Sequence, residues 1–208
     1  MNARIPLPTT LAGSFVTLEP LRADLLPALF HALRHTEVYA GGWGGGPAAR
    51  PATEQDFLGL ARRFLRWDDG RVFAVILAAG PDAGAVVGTT TLADFEPARE
   101  AVHLGWTAYD PRVWGSVVNP ECKLLLLGHC FDHGFGRVKV QTDVLNTRSR
   151  EAILRLGATF EGVTRRDARR ADGTWRDAAV HSVVVDDWPR VRQGLVERLS
   201  AAVPASLS

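Results

Sequence analysis

The sequence contains little cysteine, and what it has is badly placed for a disulfide. Cys122 and Cys130, its two cysteines, lie eight positions apart in a segment with helical periodicity. A helix rises about 1.5 Å per residue, so their Cα atoms should lie roughly 12 Å apart, beyond the ~7 Å that a disulfide tolerates. We therefore expect two buried free thiols that are not nucleophiles, which is typical of a reducing compartment.

The sequence also lacks long apolar runs and any excess of charge of one sign. No stretch approaches the ~20 apolar residues that span a bilayer, and residues 1–13 contain no apolar run of signal length. The formal net charge is +1, which gives no bulk attraction to nucleic acid or to acidic membranes. These absences predict a cytoplasmic protein without a membrane partner, and they argue against nucleic acid as a partner.

What the sequence does contain is a regular exchange of helical and extended patterns along its 208 residues. This length suits a single domain, residues 1–208, with a sizeable core. Predicted strands cover residues 14–21, 72–79, 85–95, 101–109, 137–145 and two segments around the turn 171–174. Predicted helices cover residues 21–35, 53–70, 119–133 and 146–157, with a short C-terminal helix at about 187–203. This order predicts an α+β fold with one central mixed, mostly antiparallel sheet of about six to seven strands, flanked by helices.

Three helix starts are marked by capping residues. Asp24 is predicted to cap the first helix, and Thr53 with Asp56 to form a capping box at the second. Asn119, followed by Pro120, is predicted to cap the helix that begins near residue 119. Between the first two helices, five glycines and two prolines surround Trp43 in residues 39–51, which predicts a mobile loop.

A glycine-containing turn at residues 112–117 leads into the most apolar helix of the chain. Unpaired N–H groups at a helix N-terminus attract phosphate, and a strand, a glycine turn and a buried helix together can form a pyrophosphate site. Gly115 is equally explained as a turn glycine without a ligand. The spacing alone leaves both interpretations open.

Three stretches, residues 103–115, 119–162 and 172–189, resemble the GNAT superfamily of acetyl-CoA-dependent N-acetyltransferases, and within it the RimJ/RimL-like branch. The resemblance extends from about Gly13 to Leu199. It implies a three-layer fold whose central sheet splays into a V, with acetyl-CoA as cosubstrate and no metal. It also implies direct transfer of the acetyl group to an amine, either a protein N-terminal α-amine or a small-molecule amine, in a ternary complex. A homodimer is a further option that the resemblance offers.

In that family the acetyl-CoA loop reads Arg or Gln, two residues, Gly, one residue, then Gly or Ala. Arg112 and Gly115 match the first two landmarks, whereas Val117 occupies the third. Because a β-carbon resists positive φ and close approach to a ligand, Val117 is expected to weaken pyrophosphate binding or to displace the loop. The resemblance places cofactor contacts at Tyr109, Arg112, Val113, Trp114, Gly115, Ser116, Val117, Asn146 and Ser149.

Ser149 and His103 are the candidate catalytic residues that the resemblance points to. Ser149 is expected to hydrogen-bond the departing thiolate, although Asn146 and Ser149 are equally explained as an N-cap and its partner. Many relatives use a tyrosine as acid, and Phe160 lacks the hydroxyl for that task. His103 is the first candidate for the base that deprotonates the amine, with a strand histidine facing the second layer as the alternative. Asp94 and Glu37 are weaker candidates, because each is expected to be a solvated charge in a turn or at a helix end.

Two other features leave alternatives open. Arg165, Arg166, Arg169, Arg170 and Arg176 predict a hairpin with solvated basic faces, or else contacts with an acidic acceptor or with the 3′-phosphate of CoA. Trp43 is expected either to wall the acceptor slot or to plug the surface. Two rival functions follow: a non-catalytic GNAT-fold protein that binds CoA or a partner, motivated by Val117, and a nucleic-acid module that uses these arginines.

Overall fold

The computed structural model describes residues 2–202, and within them one eight-stranded sheet has the order β1-β2-β3-β4-β5-β6-β8-β7. The strands are β1 Leu11–Ala12, β2 Val16–Pro20, β3 Arg71–Leu77, β4 Val86–Glu96, β5 Ala101–Tyr109, β6 Arg137–Asp143, β7 Thr159–Arg169 and β8 Trp175–Val184. All neighbours pair antiparallel except β5 and β6, which are parallel. The predicted α+β fold with a mixed, mostly antiparallel sheet is confirmed. The predicted strand number was too low, because β1 is too short to show an alternating pattern.

In the described part of the chain, six α-helices flank the sheet: α1 Leu26–Leu33, α2 Thr36–Ala40, α3 Glu54–Phe64, α4 Val118–Asp132, α5 Thr147–Leu156 and α6 Trp188–Ser200. The helix α2 falls between two predicted segments and was not foreseen. The C-terminal helix is present, and its predicted end at 203 lies outside the described residues. That residues 1–208 form a single domain stays a prediction. Among the helices of residues 2–202, none has both the length and the apolarity that crossing a bilayer requires.

The helix starts show where local capping signals decide a boundary. Thr53 and Asp56 form the predicted capping box. The other two predicted caps were wrong. Asp24 lies in a 3₁₀ turn and pairs with Arg22 at 3.2 Å. The helix α4 begins at Val118 because Val117 already has helical angles, φ −70° and ψ −15°.

Helices cover both faces of the sheet, which gives the predicted three layers. One core lies under α4 and α6 and includes the buried Cys122, Leu126 and Cys130. The other lies under α1 and α3. Both cysteines are free and buried, and burial raises the pKa of the Cys122 thiol to about 12, so the prediction of buried core thiols is confirmed.

A buried carboxylate ties α4 to the start of β2. Glu121 accepts hydrogen bonds from the backbone N–H groups of Ser14, Phe15 and Val16 at 2.8, 2.6 and 2.6 Å. These donors come from more than 100 positions earlier in the chain. This contact fixes the first turn of α4 relative to the sheet.

The sheet opens between β5 and β6. The two strands pair only where Ala101 to His103 lie beside Arg137 to Lys139, and from there to their C-terminal ends no pairing joins them. The predicted splay is therefore confirmed, and it leaves a gap in the middle of the sheet.

Candidate active site

A cavity of about 1010 Å³ fills this gap. The strand β5 lines it from His103 to Tyr109, and β6 lines it from Lys139 to Asp143. The first turns of α4 and α5 form its rim, and Trp43 and Phe64 also border it. The cavity thus runs from the glycine turn before α4 to the paired ends of the two strands.

The turn before α4 is held by Asp110. Its carboxylate accepts the backbone N–H of Arg112 at 2.9 Å and pairs with the guanidinium of the same residue at 2.8 Å. Gly115 has a φ of +74°, and an added β-carbon there would meet no atom within 4 Å. The left-handed geometry, and not a lack of space, is therefore what favours glycine at this position.

The predicted cofactor residues of this turn divide into two groups. Val113, Trp114, Gly115 and Ser116 line the cavity, whereas the side chain of Arg112 is turned to Asp110. Val117 has a φ of −70°, an ordinary helical value. The part of the expectation that depends on positive φ is wrong, because the left-handed position within residues 112–117 is Gly115, two residues earlier. That the β-carbon of Val117 hinders close approach of the ligand stays a prediction.

Tyr109 connects the end of β5 to α4. Its hydroxyl donates to Oδ1 of Asn119 at 3.2 Å, and its backbone carbonyl accepts the indole N–H of Trp114 at 3.0 Å. The guanidinium of Arg148 lies over the ring of Trp114, with Cζ 3.1 Å from the ring centroid. All four side chains line the cavity, so this network shapes the end near the glycine turn.

Asn146 and Ser149 lie at the start of α5, where the predicted capping is present. The Oδ1 atom of Asn146 accepts the backbone N–H of Ser149 at 3.0 Å, and its side-chain amide donates to the carbonyl of Gly41 at 2.6 Å. Both residues also line the cavity. Capping and a cofactor contact are therefore compatible, and the contact itself stays a prediction.

His103 and Asp94 form a pair at the other end of the cavity. Nδ1 of His103 lies 3.0 Å from Oδ2 of Asp94, and Asp94 also pairs with Arg66 at 3.0 Å. The hydrogen bond from His103, with further help from Arg66, lowers the pKa of Asp94 to about 2. An ionised carboxylate only accepts hydrogen bonds, so the proton of the imidazole belongs on Nδ1.

The second ring nitrogen of His103 is then a free base. Its Nε2 is buried and has no hydrogen-bond partner among the described residues. Burial lowers the pKa of His103 even though Asp94 acts to raise it, which keeps the imidazole neutral at neutral pH. Asp94, expected to be a solvated turn charge, instead orients the histidine.

Two residues considered at first do not reach the cavity. Glu37 is exposed on α2. Phe160 is half exposed on β7 and its ring packs on His181. Neither takes part in the site.

The glycine-rich segment is more structured than predicted. Trp43 is buried, with its ring between Tyr39 and Phe64, and its indole N–H donates to the carbonyl of Trp106 at 3.0 Å. The N–H of Ala171 donates to the carbonyl of Gly45 at 3.0 Å. Residues 43–49 contain two 3₁₀ turns, so the segment is packed against the cleft. Trp43 forms part of the cavity wall.

Two arginines of the hairpin are not solvated as predicted. Arg170 pairs with Asp143, and both are largely buried. Arg176 pairs with Asp167, and both line the cavity. These pairs neutralise two of the carboxylates that border the cleft.

Sequence reasoning missed two features of the site. Lys123 is buried on α4 and lines the cavity, and the available signal was a single cation within a strongly apolar helix. The pairing of β4 with β5 shifts register between Thr89 and Thr91, where Trp106 has a φ of +51°. Such a bulge leaves no local sequence signal, because it reflects pairing with another strand.

Comparisons with known proteins agree with this geometry. Residues 16–159 match the model of the acetyltransferase (GNAT) domain. A protein from T. thermophilus assigned as an acetyltransferase is 32% identical, with a TM-score of 0.82, over 94% of this chain and 100% of that one. A GCN5-related N-acetyltransferase from Brucella melitensis is 28% identical, with a TM-score of 0.83, over 94% of this chain and 87% of that one.

A more distant neighbour shows the fold alone. RimJ of Mycobacterium smegmatis, solved in complex with CoA-disulfide, is 21% identical, with a TM-score of 0.72, over 94% of this chain and 95% of that one. None of the curated proteins matches the sequence.

Fold, cleft and comparisons together define an N-acetyltransferase that uses acetyl-CoA. The chain belongs to the GNAT acetyltransferase family. The predicted membership is confirmed, and RimJ is among the proteins that share the fold.

Proposed function

We propose that the cavity binds acetyl-CoA with its pyrophosphate against the turn before α4 and its thioester in the splay of the sheet. The backbone N–H groups of Val113, Trp114 and Ser116 donate to carbonyls of the same turn, whereas those of Gly115 and Val117 have no acceptor within residues 2–202. These two N–H groups lie beside the first turn of α4, where a helix N-terminus favours anions. Arg148 and Lys123 line the cavity and have no ion-pair partner within residues 2–202. A cofactor with several negative charges suits this environment.

The observation that carries the catalytic proposal is the free Nε2 of His103. His103 lines the cleft, and its Nε2 is enclosed without a hydrogen-bond partner among the described residues. A neutral imidazole of this kind accepts the proton of an attacking amine once the bound acceptor reaches this wall of the cleft. Asp94 holds the ring in the productive tautomer and stabilises the imidazolium that forms. Ser149, on the rim formed by α5, hydrogen-bonds the departing sulfur, as the family resemblance implies.

The charges of the cleft favour an acceptor with few positive charges. Its three carboxylates already have cationic partners: Asp94 has Arg66, Asp143 has Arg170, and Asp167 has Arg176. A polyamine or an aminoglycoside would therefore find no free carboxylate. We propose an acceptor with one α-amine, whose ordinary pKa of about 7.7 to 8.0 leaves part of it neutral at pH 7.

The non-catalytic alternative loses its main support. Its two motives are Val117 and the missing tyrosine acid, and the helical φ of Val117 removes the backbone reason for a lapsed cofactor site. We retain it only as an outcome of the experiment below.

Calorimetric titration with acetyl-CoA, followed by release of free thiol in the presence of candidate amines, tests the proposal. We expect binding in the micromolar range, about −8 kcal/mol, and turnover with α-amines of peptides or amino acids but not with polyamines. His103→Ala is expected to bind acetyl-CoA normally and to lose turnover. Binding without turnover of any amine would support the non-catalytic alternative, and no binding would overturn the proposal.

A homodimer stays a prediction. The edge strand β7 supports it, because Phe160 and Val163 are 50% and 51% exposed there. Sedimentation of the protein with and without acetyl-CoA tests it, and a monomer at micromolar concentration in both conditions would contradict it.

A further inference from the structure

Lys123 is a buried cation without a matching anion. It is 7% exposed on α4, between the buried Cys122 and a run of leucines. Within residues 2–202, its one polar side-chain contact joins Nζ to Oγ1 of Thr107 on β5, at the long distance of 3.5 Å. No ion pair of residues 2–202 includes it. Buried lysines are almost always paired, so this one needs an explanation other than fold stability.

The choice of lysine here is itself informative. Lys123 and Lys139 are the only lysines among 24 basic residues, so the chain otherwise uses arginine. Arginine does not release its proton in proteins, whereas a buried lysine shifts its pKa readily. A lysine in the cleft therefore offers proton transfer that arginine would not.

The bulge on β5 places Lys123 and His103 on opposite sides of the splay. Before the bulge, Val102 and Leu104 face the core under α4, so His103 faces the other layer. After it, Tyr109 packs toward α4 and Ala108 toward the other layer. Thr107, and with it the amine of Lys123, thus approaches the gap from the α4 side.

The imidazole of His103 and the amine of Lys123 also lie at neighbouring levels along β5. Nε2 of His103 lies beside Gly105, where an added β-carbon would be 2.8 Å away, and the amine of Lys123 lies beside Thr107. Two residues of strand span roughly 7 Å. A thioester between these levels would have His103 on its amine side and Lys123 on its sulfur side.

Thr107 lies between the glycine turn and the level of His103. Two residues of strand, roughly 7 Å, lead from Thr107 to Tyr109 at the end of β5, and Arg112 lies in the 3₁₀ turn that follows. A cofactor that is held at this turn and extends into the splay therefore passes Thr107 and the amine of Lys123.

We propose that Lys123 is a further catalytic residue, whose ammonium group donates a proton to the CoA thiolate as the acetyl group leaves. This inference rests on the proposed function, since it requires acetyl-CoA in the splay. The amine nitrogen forms a bond to the carbonyl carbon, and the C–S bond breaks with its electron pair going to sulfur. His103 takes the proton that nitrogen loses, and sulfur takes one from Lys123. Solvent then removes the proton from His103 and returns one to Lys123, so the products are the amide and free CoA.

The charged surroundings of Lys123 suit a proton donor. Burial lowers its pKa to about 8, near the ordinary value of about 8.5 for a thiol. Cys122, the titratable neighbour on α4 that acts on Lys123, stays neutral because burial raises its pKa. The other charged groups that line the same cavity are Arg66 after α3, Asp94 from β4, Lys139 and Asp143 from β6, Arg148 and Arg155 from α5, Asp167 from β7, Arg176 from β8 and Arg198 from α6.

Two substitutions test the donor role by kinetics. Lys123→Met removes the charge at similar volume, and we expect kcat to fall by about 10²-fold, at the low end for general acids because a thiolate needs little help. The KM for acetyl-CoA should change by less than about threefold. Wild-type kcat should decline above about pH 8 as Lys123 loses its proton, and this decline should be absent in Lys123→Met. An unchanged kcat, or a decline that persists in the variant, would overturn the proposal.

Lys123→Arg separates proton donation from charge alone. Arginine keeps the cation but does not donate its proton at neutral pH, so we expect this variant to be as slow as Lys123→Met. A Lys123→Arg enzyme with wild-type kcat would show that the positive charge suffices and would overturn proton donation. Circular dichroism and thermal melting check that both variants fold, which is expected for Met because replacing a buried charge by an apolar group is often neutral.

A titration without turnover provides the second readout. The ultraviolet absorbance of the thiolate of bound CoA reports its ionisation, and an ammonium group beside the sulfur should lower the pKa of the thiol in the wild type relative to Lys123→Met. An equal pKa in both proteins would overturn the proposal. So would acetylated Lys123 accumulating during turnover, detected by intact mass, because the amine would then be an acceptor.

These outcomes separate the two proposals. If the wild type does not bind acetyl-CoA, the proposed function fails. If the wild type binds and turns over acetyl-CoA but the Lys123 variants behave like it, only the role of Lys123 fails.

Discussion

A β-carbon added at Gly105 would lie 2.8 Å from Nε2 of His103. The imidazole of His103 therefore occupies space that is free only because residue 105 is a glycine. The ring is also held by Asp94 and packs against Trp106 with centroids 4.8 Å apart. It has little freedom to move aside.

Gly105→Ala is expected to displace the imidazole and so to lower kcat/KM for the acceptor by about 10²-fold, because proton transfer depends on position. Calorimetry should show acetyl-CoA affinity within about twofold of wild type. Gly194→Ala is the matched control, since an added β-carbon there meets no atom within 4 Å, and it should retain full activity. Full activity of Gly105→Ala would contradict the role of His103.

The pH dependence of the reaction should report His103. Burial lowers the pKa of His103 below its ordinary 6.5, and the neutral form is the active one. As pH falls through a value below 6.5, kcat/KM for the acceptor should therefore decrease because His103 becomes protonated. This decrease adds to the one caused by protonation of the acceptor itself. Asp94 acts to raise the pKa of His103, so Asp94→Asn should move this loss to still lower pH while reducing the plateau.

The measurement is kcat/KM against pH with one acceptor for wild type, Asp94→Asn and His103→Asn. The common acceptor gives all three the same contribution from its own ionisation. Once the common contribution of the acceptor has been removed, a remaining loss centred above pH 6.5 in the wild type, or the same remaining loss in His103→Asn, would show that another group is the base.

Glu121 should contribute to stability through its three backbone donors. Glu121→Gln leaves the side-chain size unchanged but replaces a charged acceptor, and we expect the free energy of unfolding to fall by about 2 kcal/mol. Denaturant unfolding measures it. Glu151→Gln on α5, where an exposed pair with Arg155 is lost, should cost less than about 1 kcal/mol. Equal losses in both variants would contradict the role given to Glu121.

The strands were predictable where one local pattern decided the structure. The run from Ala101 to Tyr109 alternates between two buried faces, and its predicted bounds match β5. The capping box of Thr53 and Asp56 likewise depends on residues three positions apart. Local chemistry and local geometry agree in these segments.

The site was less predictable, because distant segments create it. Asp94 was expected to be a solvated charge until pairing of β4 with β5 brought it to His103. Lys123 on α4 contacts Thr107, which follows the bulge in the pairing of β5 with β4. Asparagine is a favoured N-cap residue, yet the side chain of Asn119 accepts a hydrogen bond from the hydroxyl of Tyr109 instead. Such contacts are decided by tertiary packing, which a single sequence does not display.

The turn before α4 offers the sharpest comparison between family pattern and geometry. Gly115 has a φ of +74° and Val117 one of −70°. An alanine in the left-handed region costs about 1–2 kcal/mol, so the free loop of Gly115→Ala should relax to a negative φ. Binding must then restore the left-handed shape, and the affinity for acetyl-CoA should fall by roughly tenfold. Val117→Gly should leave the affinity within about twofold, because no strain is relieved, and lower stability by at most about 1 kcal/mol.

Calorimetry with acetyl-CoA on both variants, together with thermal melting, checks this prediction. The two substitutions exchange glycine and a side chain within the same turn, so they differ chiefly in the φ that each position requires. Tighter binding by Val117→Gly would mean that the β-carbon of Val117 obstructs the pyrophosphate by close approach, and not by backbone strain. Unchanged binding by Gly115→Ala would place the pyrophosphate away from this turn, and with it the sulfur away from Thr107 and Lys123.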